Sequence, residues 1–312
     1  MDYRYLGRSG LQVSVVGLGC NNFGMRIDVE QTAIVVNQAL DLGVNLFDTA
    51  DVYGNRGQSE EYLGKALQGK RRQAIIASKF AMSMGEGPYT SGGSRRYIYD
   101  AVHDSLRRLG TDYIDLYQMH RPDPATPVEE TLRALDDLVR SGEIRYVGHS
   151  NYSAAQLVEA AWTAKTEHLT PFISAQNQYN LLDRSIEGEF TAACAKYGLG
   201  ILPFFPLASG FLTGKHRPGQ PAVEGTRLAG PMGQRMLTED NYATLQQLEA
   251  VAEGAGRTML ELAMSWLAQQ PQVTSVIAGA TQPEQVQQNV VAVGWTLSPA
   301  ELAAIDAATK KR

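Results

Sequence analysis

Short apolar runs, each followed by a helix-like segment, recur eight times along this chain, and that alternation constrains its fold more than any other feature. Residues 15–19 (VVGLG) read as a strand and 29–42 as a helix. The strand 45–48 precedes a helix over 59–67 (SEEYLGKAL), which carries acidic residues in its first turn. Strands over 73–79 (QAIIASK), 112–120 (DYIDLYQMH), 144–150 (IRYVGHS) and 172–176 (FISAQ) are followed by helices over 94–109, 127–141, 154–165 and 186–197. Residues 200–205 form a seventh strand and 273–277 (VTSVI) an eighth. Such alternation implies βαβ units and a parallel sheet. Eight of them suit an α/β fold, a closed (β/α)8 TIM barrel, which typically needs ~250 residues. The first dozen residues, with Arg8-Ser9-Gly10 between two extended runs, predict an N-terminal β-hairpin that plugs the barrel bottom. No composition shift marks a boundary, so 1–312 read as one domain. The irregular stretch 208–238, rich in glycine and proline, reads as a lid, because long unstructured loops in compact domains are usually functional or disordered.

Composition narrows the function classes. The chain is 44% hydrophobic and 20% charged, and its net charge of −5 gives no support to nucleic-acid binding. Two cysteines, Cys20 and Cys194, lie far apart without a CxxC, which excludes a disulfide framework and a cysteine zinc site and suits a reducing compartment. The N-terminus, MDYRYLGRSG, lacks the apolar core of a signal peptide, and the most apolar stretch, 198–212, is short and broken by glycine and proline. No membrane association is expected, and the cytoplasm is the default location. The sequence carries no signal for an oligomeric state.

The barrel rule gives the strand ends their weight. Active sites of such barrels sit at the C-terminal ends of the strands. Strands 2, 3 and 4 end in Asp48, Lys79 and His120, and Tyr53 stands in the loop after strand 2. A lone Asp, Lys or His at a strand end is more often a cap or a surface residue. Three adjacent strands ending this way, beside a tyrosine, favour a site. A free tyrosine has a pKa near ~10 and is a poor donor at neutral pH. A neighbouring ammonium stabilises the phenolate, while an aspartate keeps the lysine charged and in place. An imidazole at His120 orients a substrate carbonyl or shares its proton. The group reads as a general acid aimed at a carbonyl oxygen. No Ser-His nucleophile pair is present, and no metal set is expected from the histidines. His103, His149, His168 and His216 have no ligand-spaced partner and read as structural or solvated, with His149 nearest a strand end.

The loop GLGCNNFG (17–24) is not GxGxxG in a Rossmann unit and is weak evidence for a nucleotide. The segments FDTADVYG, SEEYLGKAL, IIASKF, YIDLYQMHRPDPATPVEETLRAL, IRYVGHSNYS, PLASGFLTGK and VIAGATQPEQVQQN follow one another along the chain. In order and spacing this sequence resembles the aldo-keto reductases over essentially its whole length, most specifically in DTAxxYG and the Gly-x-Ser-Asn segment. The resemblance implies a barrel that binds a nicotinamide dinucleotide across its C-terminal rim without a Rossmann fold. It implies a catalytic tetrad of Asp48, Tyr53, Lys79 and His120, the set that the strand ends select. It assigns Ser150, Asn151 and Gln176 to the nicotinamide carboxamide. Phe204 takes the place of an aromatic stacked on the nicotinamide ring, and Leu207, Ser209 and Lys215 fall on a pyrophosphate-covering loop. Gly279, Thr281, Gln285, Gln288 and Asn289 fall at the adenosine end, with Asn289 on the adenine.

Three departures bear on specificity. Cys20-Asn21 replace the family's common Thr-Trp, which implies that one aromatic wall of the substrate pocket is absent. Gln288 stands where many members carry Glu beside the adenine. Gly279 and Gln285 stand where one branch clamps the 2′-phosphate with a lysine and an arginine. The match is closer to the bacterial and channel-subunit-like branches, in which a lysine and an arginine of the loop after strand 7 contribute. Lys215 and Arg227 are the candidates, against the plainer reading of Arg227 as a solvated loop charge. The cofactor is therefore expected to be NADPH (NADP+), with NADH as the alternative, and the partner a small-molecule carbonyl substrate in a pocket lined by 82–92 and the lid. A different class of function, a cofactor-binding regulatory or redox-sensing subunit, keeps the same tetrad. Against it, the chain starts at the barrel's own hairpin, with no N-terminal extension for a partner. A phosphate-binding barrel isomerase would leave Tyr53 beside Lys79 unexplained.

Overall fold

In the computed structural model, which describes residues 1–220, 222 and 226–310, the chain opens with an antiparallel hairpin, β1 (Tyr3–Tyr5) and β2 (Gln12–Ser14). Parallel strands follow as β3 (Val16–Gly19), β4 (Leu46–Asp48), β5 (Ile75–Phe80), β6 (Ile114–Met119), β7 (Ile144–Ser150), β8 (Ser174–Gln176), β9 (Gly200–Ile201) and β10 (Val276–Gly279). They pair in the order β10-β3-β4-β5-β6-β7-β8-β9. A parallel bridge between Ile201 and Val273, and the Ile277 amide donating to the Pro203 carbonyl at 3.1 Å, join the two ends. The result is the (β/α)8 barrel that the alternation implies.

The surrounding helices are α1 (Val29–Asp41), α2 (Tyr53–Ala66), α3 (Arg95–Leu109), α4 (Val128–Ser141), α5 (Ala154–Thr166) and α6 (Glu189–Tyr197). After β9 come α7 (Pro231–Gln234), α8 (Glu239–Gly254), α9 (Met259–Ala268), α10 (Pro283–Val291) and α11 (Pro299–Thr309). Side-chain caps set several starts: Asp28 accepts from the Gln31 amide at 2.9 Å, and Ser153 and Gln156 form a capping box at α5. Along α4, Leu132, Leu135 and Leu138 recur at helical spacing and are fully buried against the barrel.

Several boundaries differ from the sequence reading. The helix read over 59–67 begins at Tyr53, which is therefore its first residue rather than part of a loop, and Gly54 to Gly57 break it with positive φ before it runs on to Ala66. The seventh strand stops at Ile201 rather than 205, because Pro203 has no N–H to continue the ladder; Phe204 keeps only an isolated bridge to Gln178. The eighth runs over Val276–Gly279 rather than 273–277. The reading also assigned no helix beyond 197, whereas α8 to α11 complete the outer ring. The stretch 208–238 is irregular as expected, with short turns at Ala208–Thr213 and Arg227–Ala229; the part of the lid at 221 and 223–225 lies outside the described residues.

The hairpin closes the barrel bottom. Leu6 and Val13 are fully buried in a cluster with Leu46, Ala77, Leu116, Ile173, Leu202 and Ile277. Burying each of these two side chains is worth ~1.5–3 kcal/mol. The turn at Gly7 requires glycine: its φ is 54°, and a β-carbon there would lie 2.3 Å from the Ile173 carbonyl oxygen.

Candidate active site

Strand side chains alternate between faces, so a residue two positions beyond a bottom-layer one points into the same interior, one layer higher. Leu46 leads to Asp48, Ala77 to Lys79, Leu116 to Gln118, Leu202 to Phe204 and Ile277 to Gly279. The apolar floor thus gives way to a polar layer at the C-terminal rim. Lys79, fully buried, places Nζ 2.8 Å from Asp48 Oδ2 and donates to the Thr49 carbonyl at 2.8 Å. The other carboxylate oxygen, Asp48 Oδ1, accepts from Gln176 Nε2 at 2.8 Å and from Gln118 Nε2 at 3.5 Å. A buried ion pair is tolerated only when its remaining lone pairs are satisfied, and here both carboxylate oxygens have partners.

Tyr53 stands at the mouth above this pair. The Lys79 ammonium lies 4.9 Å from its ring centroid, and the Tyr53 hydroxyl is 3.5 Å from His120 Nε2. The two rings meet edge to face at 5.6 Å. Strand β6 ends at Met119, so His120 begins the following loop, held by its amide donating to the Phe80 carbonyl at 2.9 Å. The four residues chosen from the strand ends therefore share one rim.

Electrostatics divides them sharply. Burial alone opposes the Lys79 charge, but the Asp48 and Tyr53 oxygens outweigh it and hold the ammonium above its ordinary value. The Tyr53 phenol goes up as well: burial exceeds the downward pull of Lys79, with Asp48 adding to the rise. The lysine acts in the expected direction without deciding the sign. Burial, and then the charges of Lys79 and Arg121, push His120 down to about 3. At neutral pH the site holds an ammonium, a protonated phenol and a neutral imidazole.

Backbone strain marks the same rim. Among the described residues, nine non-glycine residues have positive φ. Asn55 and Arg56 follow β4, Ala81 and Tyr89 follow β5, Asn151 follows β7, and Phe205, Ala208 and Ser209 follow β9; only His168 lies at the other end. Each costs on the order of 1–3 kcal/mol and persists where surrounding structure over-determines it, as at ligand-binding sites.

The remaining candidates are distributed around this centre. Ser150 donates to the Gln176 carbonyl at 2.7 Å, and Asn151, at φ 60°, donates to the His120 carbonyl at 2.9 Å and to Ser150 Oγ at 3.0 Å. Phe204 is half-buried, edge to face with Phe205, and Leu207 and Ser209 open the turn after it. Lys215 is exposed. Arg227 is not a solvated loop charge: its Nη2 donates to Asn21 Oδ1 at 2.5 Å and Asn22 Oδ1 at 2.9 Å, and its guanidinium sits 5.9 Å from the Phe205 ring. Gly279 ends β10 beside Asn21 and Asn22. Gln285 accepts from the Thr281 and Gln282 amides at 2.8 and 3.3 Å and so caps α10. Gln288 is exposed and Asn289 buried.

Sequence reading assigns no role to Gln118 or Asn22, and names Asn21 only as a departure from the family's pattern. Gln118 was legible as the inward residue two before His120, but a glutamine carries no catalytic signal by itself. Asn21 and Asn22 lie in the weak glycine loop; Asn22 Nδ2 donates to the Ala280 carbonyl at 3.2 Å, and the folded lid brings Arg227 to both side-chain oxygens. His149, left open by its position near a strand end, turns away from the site into a cage of Tyr152, Phe172 and Phe190. Among the described residues no cluster of three His, Cys, Asp or Glu suits a metal ion, and no helix is long and apolar enough to cross a membrane.

Residues 15–310 match the Aldo/keto reductase family. The chain is 39% identical over 319 residues to the L-glyceraldehyde 3-phosphate reductase of Escherichia coli (strain K12), covering 98% of this chain and 92% of that one. It is 39% identical over 300 residues to a probable voltage-gated potassium channel subunit beta of Oryza sativa subsp. japonica, covering 94% and 91%. An uncharacterized oxidoreductase of Bacillus subtilis (strain 168), YrpG, is 35% identical over 307 residues, covering 95% and 92%. The chain belongs to the aldo/keto reductase family and is an oxidoreductase of carbonyl compounds, in a family that generally works with NAD(P)H.

Proposed function

We propose that the protein is an NADPH-dependent reductase of aldehydes or ketones in which Tyr53 is the general acid. The observation that carries this reading is the buried Asp48–Lys79 pair set beside a phenol at the barrel mouth. Two features support a dinucleotide on this rim. Gly279 is exposed, and a β-carbon there would approach Asn22 Nδ2 to 3.3 Å, so glycine keeps a shelf open. Burial and the neighbouring Arg26 both hold Arg227 below its ordinary value, a repulsion that a bound anion would relieve.

In this reading Ser150, Asn151 and Gln176 hold the nicotinamide carboxamide and Phe204 offers its ring face, which phenylalanine does as well as tyrosine. Leu207, Ser209, Lys215 and Arg227 cover the phosphates, and Gly279, Thr281, Gln285, Gln288 and Asn289 the adenosine end. When bound, the nicotinamide supplies the hydride. As negative charge develops on the substrate's carbonyl oxygen, Tyr53 passes its proton to that oxygen, and Lys79 stabilises the phenolate left behind. Asp48 keeps Lys79 charged and in place. Neutral His120 orients the carbonyl by a hydrogen bond and holds no imidazolium proton to give at neutral pH.

A screen of aldehydes and ketones for NADPH consumption tests the function. Glyceraldehyde 3-phosphate belongs in it because of the name of the Escherichia coli relative. Turnover of at least one carbonyl is expected. Tight NADPH binding with no turnover of any of them would point instead to a regulatory or redox-sensing subunit; the rice relative's name is that of a probable voltage-gated potassium channel subunit beta.

Arg227 tests the cofactor preference. A charge-assisted contact to the 2′-phosphate is worth ~1.5–3 kcal/mol, on the order of tenfold to a hundredfold in affinity. The native protein should bind NADPH more tightly than NADH, and Arg227→Ala should narrow the gap. Equal dissociation constants for the two cofactors in the native protein would sink this assignment.

A further inference from the structure

A second cluster of ionisable groups lies behind the strand that carries Lys79, and the chemistry above does not use it. Asp51, two residues before Tyr53, is 1% exposed. Its Oδ1 is buried without a hydrogen-bond partner, and its Oδ2 lies 3.2 Å from the Tyr97 hydroxyl. The groups facing it are Glu60 from α2, Tyr97 and Arg108 from α3, and Tyr117 from β6, with Asp104 behind Arg108. Glu60 is already committed: one oxygen accepts from Arg108 Nε at 2.7 Å and the other from Ser78 Oγ. The arginine's hydrogen bonds thus go to Glu60 and Ser105 rather than to Asp51. Burial, and then the Glu60 carboxylate, push the Asp51 carboxyl up to about 7 against the opposing pull of Tyr97 and Arg108.

Tyr97 has one proton and two acceptors. Its hydroxyl is 3.2 Å from Asp51 Oδ2 and 3.3 Å from the Met82 carbonyl oxygen. A phenol donates once. With Asp51 protonated, its own O–H donates to Tyr97, and the Tyr97 proton serves Met82, so that every bond in the chain is made. When Asp51 loses its proton to solvent, the carboxylate draws the Tyr97 proton to itself by a stronger, charge-assisted bond, and Met82 loses its donor. Met82 opens the segment that leaves β5 at Ala81, whose φ of 88° must be held against strain. The neighbouring ties are the Gly92 amide on the Ala81 carbonyl at 3.2 Å and the His120 amide on the Phe80 carbonyl at 2.9 Å. Asp51 is joined to the same strand by its amide, which donates to the Lys79 carbonyl at 3.1 Å.

We propose that Asp51 is a positioning residue whose protonation decides, through the single hydroxyl proton of Tyr97, whether segment 82–92 is tied to α3 or released. The effect on substrate binding rests on the carbonyl-reductase reading; the motion of the segment does not.

Hydrogen exchange of the cofactor-free protein at pH 6 and pH 8, corrected for the intrinsic pH dependence of exchange, tests it. Amides of 82–92 should open several-fold more readily at pH 8, while α5 serves as an unchanged reference. Asp51→Asn, whose amide donates to Tyr97 at both pH values, should keep the segment protected at both. Tyr97→Phe should leave it open at both. In turnover, KM for the carbonyl should rise above pH 7 in the native protein and stay flat in Asp51→Asn. An equal pH dependence in native and Asp51→Asn proteins would overturn the proposal. Should that variant fail to fold, the native protein decides alone: protection of 82–92 that does not change between pH 6 and pH 8 relative to α5 overturns it. A protein that shows the exchange pattern but reduces no carbonyl would refute the function, not this switch.

Discussion

Tyr53→Phe is expected to lower kcat by ~10²–10⁴-fold while leaving the NADPH dissociation constant nearly unchanged, the loss that removing one positioned acid produces. The substitution removes only the hydroxyl. The ring keeps its place 4.9 Å from the Lys79 ammonium and edge to face with His120. What disappears is the proton and a long, 3.5 Å contact to His120 Nε2. The imidazole is a poor substitute, because it stays neutral until about pH 3. A phenylalanine variant that reduces aldehydes as fast as the native protein would show that His120 or water supplies the proton. Single-turnover measurements with saturating NADPH separate this loss from any change in product release.

The shared place of Asp48, Tyr53, Lys79 and His120 on one rim was legible because chain order and barrel geometry say the same thing. Asp48, Lys79 and His120 lie at or within one residue of the ends of successive strands, and successive strands of a parallel barrel are neighbours, so proximity followed from position. The hairpin plug was legible for a similar reason, since Leu6 and Val13 flank a tight Arg8-Ser9-Gly10 turn. The helices after 238 carried signals that went unread: Thr258 with Glu261, and Ser298 with Pro299 and Glu301, are capping boxes. Arg227 was legible as a candidate in the loop after strand 7, but its partners were not. A loop arginine reads as solvated until the folded lid brings it to Asn21 and Asn22, more than two hundred positions earlier. Asp51 was hidden in another way. An acid between a strand and a helix looks like a surface charge, and only packing against Glu60, Tyr97 and Tyr117 makes it a buried one.

Asp51, His120 and His149 give the protein an acid response that two substitutions should pull in opposite directions. His149 is fully buried in its aromatic cage, neither ring nitrogen has a partner, and burial pushes it down to about 3. His120 lies at about 3 as well. Between about pH 6.5 and 4.5 an unfolded histidine takes up a proton that the folded one refuses. Stability contributed by each is therefore complete above pH 6.5 and falls as the pH drops, by about 1.4 kcal/mol per pH unit. Asp51 has the opposite sign. Folded, it holds its proton below about 7, whereas unfolded it gives that proton up until about pH 3.9, so the folded state gains on acidification. One histidine is thereby offset, and these three groups leave a net loss of about 1.4 kcal/mol per pH unit, to which His216, held below its ordinary value by burial and then by Lys215, adds in the same direction. His149→Leu, close in volume and free of polar atoms, removes one histidine and should flatten the slope. Asp51→Asn removes the offset and should steepen it by about 1.4 kcal/mol per pH unit. Carboxylates held below their usual range, such as Asp136 and Asp306, act only at lower pH and do not blur this window. Urea unfolding at pH 6.5, 5.5 and 4.5 measures all three slopes. A His149→Leu slope equal to that of the native protein would mean that the cage admits the imidazolium, by opening to water or by moving a carbonyl to receive it.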